Sequence, residues 1–231
     1  DPENIKDKAI KVVHKSIFEL TREDLQDFDA VVSAFGQFNP SLVFQHQTAM
    51  MSLICAMKDL PNVRLLVVGG AASLFTDETK EHRALENIPE KFRGVPSNMF
   101  EAFKNLQNST VNWTYFSPAY TFDPAGTKTG KYKLGTDFLF NNDEGESYIS
   151  YADYAIAMVD EIENKKFVGR RFTAVSNKND APAEETKKEF PDLEFEGGLS
   201  HYRGPRVLEL AGKSFYLVMD DGTEGTLTFA T

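Results

Sequence analysis

Cysteine is nearly absent from this chain: Cys55 stands alone among 231 residues. No disulfide can form within the chain, which excludes a disulfide-stapled secreted scaffold and fits a reducing, cytoplasmic compartment. A run of about 18 apolar residues, long enough to cross a bilayer as a helix, is also missing. The opening DPENIKDKAIK lacks the apolar centre of a signal peptide, so no membrane is expected as a partner. Positive charge is in short supply, with 25 Lys and Arg against 35 Asp and Glu and a net charge of −10. A nucleic-acid partner calls for a basic stripe, so none is expected.

Catalytic signatures are sparse. His14, His46, His82 and His201 share no metal-ligand spacing, so no metal site is expected. No G-x-S-x-G elbow supports a serine hydrolase. None of the eight tyrosines has Lys four residues on; Tyr202 has Arg206 there. No Gly-rich phosphate loop precedes the first apolar strands.

What is present is an ordinary soluble composition, 41% hydrophobic and 26% charged, enough for a packed core. Ile10 to Val13 is a first strand candidate. Residues 19–29 predict a short helix with Thr21 as N-cap and Glu23 and Asp24 in the first turn. Residues 29–36 (DAVVSAFG) and 64–70 (RLLVVGG) are continuous apolar runs, as expected of parallel strands covered on both faces. Residues 41–59 between them have helical spacing and stop at Leu60-Pro61-Asn62. The unit reads as a βαβ crossover. Cys55 falls in that helix, where a buried structural thiol is expected.

Residues 75–96 read as a loop long enough to cover an active site. A helix over 97–107 capped by Ser97, a strand over 112–116, a Gly- and Lys-rich excursion over 121–145, a helix over 151–162 capped by Ser150 and a strand over 170–175 follow. Composition then breaks. Residues 176–189 read as a linker, and 190–231 as a β-rich module whose two alternating runs flank Asp221-Gly222, a hairpin signal. The domain reading is thus 1–175, linker 176–189 and module 190–231.

In an open parallel sheet, ligands bind at the carboxyl ends of the strands. The candidates there are Ser33-Ala34-Phe35-Gly36, Gly69-Gly70-Ala71-Ala72 with Ser73, and Ser117-Pro118-Ala119. Small residues let a cofactor lie against the backbone. His46, early in the helix after Gly36, is expected to face solvent or cap the helix, with a catalytic role as the second reading. Lys128, Lys131 and Lys133 read as a solvated face, or as a contact for a substrate phosphate. Trp113 and the phenylalanines read as core.

The stretches DAVVSAFG, RLLVVGGAASL, NWTYFSPA, RRFTAV and the run from Thr129 to Glu163 resemble the atypical short-chain dehydrogenase group that contains bacterial NADH-flavin reductases and relatives of biliverdin reductase B. The resemblance covers residues 10–175. It implies a Rossmann-like α/β fold, NADP or NAD as cofactor and a flavin or similar planar molecule as small-molecule substrate. It implies that Ser33, Ala34, Phe35 and Gly36 touch adenosine and pyrophosphate. Gly69, Gly70, Ala71, Ala72, Ser117, Pro118 and Ala119 would border the nicotinamide. The absence of a Tyr-x-x-x-Lys pair agrees with this atypical branch. Some relatives place Ser where Ala71 stands, which leaves Ser73 and His46 as the candidates for a catalytic group. Residues 210–229 loosely resemble the opening hairpin of lipocalin-like barrels of the MoaF type.

The family's first β-α-β unit, with its G-x-x-G-x-x-G loop, has no counterpart in these residues. The expected fold is therefore a Rossmann-like parallel sheet lacking that unit, followed by a linker and a hairpin module. Without the unit, the edge of residues 29–35 is expected to stand open. The bare chain is then expected to be an inactive fragment that binds dinucleotide weakly or not at all. The function expected of the complete protein is NAD(P)H-dependent reduction of a flavin or flavin-like acceptor by direct hydride transfer. A non-enzymatic NAD(P) redox sensor or a scaffold is the alternative.

Overall fold

The computed structural model describes residues 10–183, 214–218 and 224–228. Ten strands and four α-helices are placed among them: β1 (Ile10–Val12), α1 (Arg22–Leu25), β2 (Ala30–Ser33), α2 (Gln45–Met57), β3 (Arg64–Val68), α3 (Gly94–Gln107), β4 (Trp113–Ser117), β5 (Thr121–Asp123), β6 (Lys133–Gly135), β7 (Tyr148–Ser150), α4 (Tyr151–Asn164), β8 (Arg170–Val175), β9 (Ser214–Val218) and β10 (Glu224–Thr228). The main sheet runs β1-β10-β9-β2-β3-β4-β8-β6. Its centre, β9-β2-β3-β4-β8, is parallel, and its outer pairs are antiparallel.

Alternation along the central strands divides the core. Val31, Leu65, Val67, Trp113 and Tyr115 face α2 and α3, joined by Leu53, Met57, Phe103 and Leu106. Val32, Leu66, Phe116, Phe172 and Ala174 face α4, joined by Tyr154, Ala157 and Met158. With helices on both faces, these strands need apolar side chains at every position, which is why they read as unbroken hydrophobic runs. Stacked rings add to the second layer: Phe116 lies 3.8 Å from Tyr154 and 4.0 Å from Phe172, centroid to centroid.

Local chemistry sets several boundaries. The Thr21 backbone N–H donates to Asp24 Oδ2 at 2.7 Å at the start of α1. Ser150 caps α4, accepting from the Asp153 N–H at 3.0 Å. The helix read as starting at Ser97 begins at Gly94 instead. Pro96 lies in its first turn, where a missing N–H costs no helical hydrogen bond. Ser97 is inside the helix, its N–H donating to Arg93 O at 2.9 Å. The 75–96 loop is partly ordered by short 3₁₀ turns at Ala84–Asn87 and Glu90–Phe92.

The structure departs from the sequence reading in further places. The edge of β2 is not open: β9 runs parallel along it, with Ala30 opposite Phe215 and Ser33 opposite Val218. β10 pairs β9 and also β1, so the backbone groups of β1 and β2 find partners in the C-terminal hairpin. The Asp221-Gly222 turn and residues 184–189 of the proposed linker lie outside the described residues. Residues 176–183 are held to the body: Ser176 N–H donates to Tyr148 O and Ala183 N–H to Lys128 O, each at 2.8 Å. Cys55 is exposed, because α2 turns that position away from the sheet. Trp113 and Phe103, Phe116 and Phe172 are core, but Phe18, Phe38, Phe44 and Phe92 are exposed.

Candidate functional site

The parallel register brings the ends of β2, β3 and β4 to one edge of the sheet: Ser33 lies opposite Val67, and Val68 opposite Phe116. A shallow, open cleft lies there between the strand ends, α2 and α3. Ser33, Phe35, His46, Val68 and Met99 line it, with Tyr115 beneath. Ser33 is 3% exposed, and its hydroxyl takes no hydrogen-bond partner among the described residues. Ala34 and Gly36 are half-buried beside it.

His46 does not face solvent. It is buried, its ring edge-on to Phe35 at 5.7 Å. Its Nε2 sits 3.0 Å from Gln37 O and 3.3 Å from Gln37 N. The contact fixes the loop after β2 against α2, a positioning arrangement.

The second strand end is shaped by close approach. A Cβ built on Gly69 would lie 2.2 Å from a ring carbon of Tyr115, so this position excludes any larger residue. The Gly70 N–H donates to the Tyr115 hydroxyl at 3.2 Å. Burial pushes that phenol up to about 12, with the Gly70 hydrogen bond opposing. It stays neutral across the physiological range and acts as a fixed acceptor. Ala71–Ser73 forms a 3₁₀ turn with Ala72 buried. Ser117, Pro118 and Ala119 are buried at the end of β4.

Ser73 is brought against Ser117, their hydroxyls 3.3 Å apart. Its Oγ donates to Gly70 O at 3.1 Å and accepts from Arg171 Nη1 at 3.2 Å. Its proton is therefore engaged in holding the turn. Sequence reasoning passed over Arg171, Asp137, Arg83 and Tyr115, which organise this end of the sheet. The Arg171 guanidinium is held by Asp137 through Nε at 3.0 Å and Nη2 at 2.7 Å. An arginine inside a buried strand was the one signal available, since arginine is almost never buried without a partner.

Lys128 and Lys131 are exposed, and Lys133 pairs with Asp143. No group of three or more potential metal ligands occurs among the described residues. No described helix is long and apolar enough to cross a membrane.

A parallel sheet covered on both faces, with a cleft at its strand ends lined by Ser33, Phe35 and Val68, is the architecture of a Rossmann-like dinucleotide-binding protein. Of the strand-end residues, Ser33 lines the cleft and has a hydroxyl that would offer a nicotinamide dinucleotide a hydrogen bond. A family model described as NAD(P)H-binding matches residues 2–165, and the chain belongs to that family. It is 46% identical over 175 residues to the uncharacterized protein YwnB of Bacillus subtilis (strain 168), covering 74% of this chain and 82% of that one. Among solved structures it resembles a provisionally assigned NADH-flavin reductase from Streptococcus pneumoniae TIGR4, with TM-score 0.70, 39% identity and coverage of 74% and 83% of the two chains. It also resembles a provisionally assigned epimerase from Bacteroides thetaiotaomicron, with TM-score 0.63, 31% identity and coverage of 77% and 83%.

Proposed function

We propose that the protein is an NAD(P)H-dependent reductase of flavin or flavin-like acceptors. The observation that carries this reading is the strand-end cleft, which offers positioning groups and no acid–base pair. When bound, NAD(P)H supplies the hydride from its nicotinamide ring. Ser33 hydrogen-bonds the dinucleotide, with Ala34, Phe35 and Gly36 alongside it. Gly69, Gly70, Ala71 and Ala72, with Ser117, Pro118 and Ala119, form the wall against which the ring lies. Tyr115 holds the Gly70 amide, and His46 holds the loop after β2. The chain's contribution is orientation and exclusion of water, which suits transfer between stacked planar rings. The name of the Streptococcus pneumoniae relative supports the flavin assignment.

The expectation of weak binding rested on an open β2 edge and on a missing anion-binding turn. The first is removed by the pairing of β9. The test is oxidation of NADPH or NADH at about 1 mM, the upper end of ordinary KM values, with FMN or riboflavin under anaerobic conditions. Flavin bleaching matched by nicotinamide oxidation supports the proposal. Dinucleotide binding without turnover overturns it in favour of a redox sensor, and absence of both favours a scaffold.

A further inference from the structure

The loop after β3 and the start of β8 bring two guanidinium groups to one point. Arg83 and Arg171 both donate to a single carbonyl, Ser73 O, each through Nη1 at 2.5 Å. Arg171 is fully engaged with Asp137 and Ser73 and is 3% exposed in its side chain. Arg83 has no comparable carboxylate. Its Cζ lies 3.9 Å over the Phe75 ring and 4.8 Å from that of Phe100, and the Ser73 bond is the only hydrogen bond of its side chain to a described residue; its backbone N–H donates to Glu86 Oε1 at 3.0 Å. Lys80 Nζ adds a third cation, 5.8 Å from the Phe75 ring centre and 5.7 Å from that of Phe138. The acids nearby are occupied: Asp137 by Arg171, and Glu86 by His82 at 2.7 Å. Partial burial, followed by the charge of Arg171, lowers the Arg83 pKa from its ordinary value, with the charges of Asp137 and Glu86 opposing. A guanidinium clamped on an aromatic face, with free N–H groups and a second guanidinium beside it, is suited to grip an oxyanion in two-point fashion.

The cluster adjoins the Gly69–Ser73 turn and Ser117, on the α3 and β8 side of the dinucleotide cleft. We infer that Arg83, backed by Arg171, is the subsite for a phosphate or carboxylate carried by the electron acceptor. This rests on the reductase reading for the acceptor's identity, while the anion site itself rests on the two guanidinium groups. The acceptor class is then a planar ring system bearing a flexible anionic arm.

FMN and riboflavin share one ring system and differ by the phosphate, so the pair isolates the subsite. Their binding is measured by flavin fluorescence with saturating NADP⁺, which permits no turnover. FMN is expected to bind about tenfold tighter, the scale of one charge-assisted hydrogen bond, with salt weakening FMN alone. In Arg83→Met the two flavins should bind within about twofold of each other, and Arg83→Lys should restore part of the difference. Equal affinity of FMN and riboflavin for the unaltered chain overturns a phosphate subsite. Anthraquinone-2-carboxylate against its 2-hydroxymethyl analogue then reads the carboxylate source, and equality there overturns the subsite altogether. An unchanged FMN-to-riboflavin ratio in correctly folded Arg83→Met also overturns it. FMN discrimination without NADPH oxidation keeps the subsite and removes the reductase reading.

Discussion

Arg64, at the start of β3, and Glu161, in the last turn of α4, meet at 2.7 Å with side chains 4% and 2% exposed. Arg64 Nη2 also donates to the carbonyls of Glu161 and Ile162, capping the helix end that sequence spacing gives no partner. Glu161 in turn accepts from the N–H groups of Lys166 and Phe167, each at 3.0 Å. Removing one partner strands a buried charge. Glu161→Ala is therefore expected to cost about 3–5 kcal/mol of stability. Replacing both by Met should cost less than the sum of the single changes, and a double-mutant cycle in urea measures the coupling.

Asp153 fastens the Gly- and Lys-rich excursion to α4. Its Oδ1 accepts from the Thr129 and Gly130 N–H groups, and its Oδ2 from the Thr129 hydroxyl, all at 2.8 Å. Asp153→Ala leaves those donors unpaired, a loss of about 1–3 kcal/mol. Tryptic cleavage after Lys128 and Lys131 should accelerate with it. Unchanged cleavage would show that the excursion is held by other contacts.

Ser33 and Gly69 separate binding from folding. Ser33→Ala removes a hydroxyl that no described residue uses, so the melting temperature should hold. The dinucleotide Kd should rise about 2- to 10-fold, the range of one ordinary hydrogen bond. Gly69→Ala forces a methyl onto the Tyr115 ring and should destabilise by about 1–3 kcal/mol. Thermal melts with and without NADPH distinguish the two behaviours.

His82 and Glu86 form an exposed pair whose pH response has a definite sign. The hydrogen bond that His82 donates to Glu86 raises the His82 pKa above its ordinary 6.5, and the same contact lowers Glu86 below 4.5. The His82 contribution is full below 6.5 and fades as pH rises through its raised folded value. The Glu86 contribution is present above 4.5 and fades as pH falls through its lowered folded value. The pair is thus strongest between those limits. An NMR titration of His82 should give a midpoint above 6.5 that falls back in Glu86→Gln.

Much of the architecture was readable because burial on two faces leaves an unmistakable mark. β8 was delimited by RRFTAV, β2 and β3 by their apolar runs, and α4 by Ser150. The short strands β5, β6 and β7 were missed, since three residues are too few to display alternation. The start of α3 was misread because Pro96 looks like a breaker until its place in the first turn is known. Strand-end residues could be nominated from chain order alone. The Arg83–Ser73–Arg171 cluster could not, because its members are separated by up to 98 positions and only the β3–β4–β8 alignment assembles them.

Among the described residues, the outermost strands, β1 and β6, are three residues long each. On the β6 side, Lys133 is paired with Asp143 and Gly135 closes the strand. A boundary this short and charged gives a neighbouring molecule almost no backbone to zip onto. The wide central sheet can therefore stay apolar on both faces, at high concentration, without seeding fibrils of its own kind.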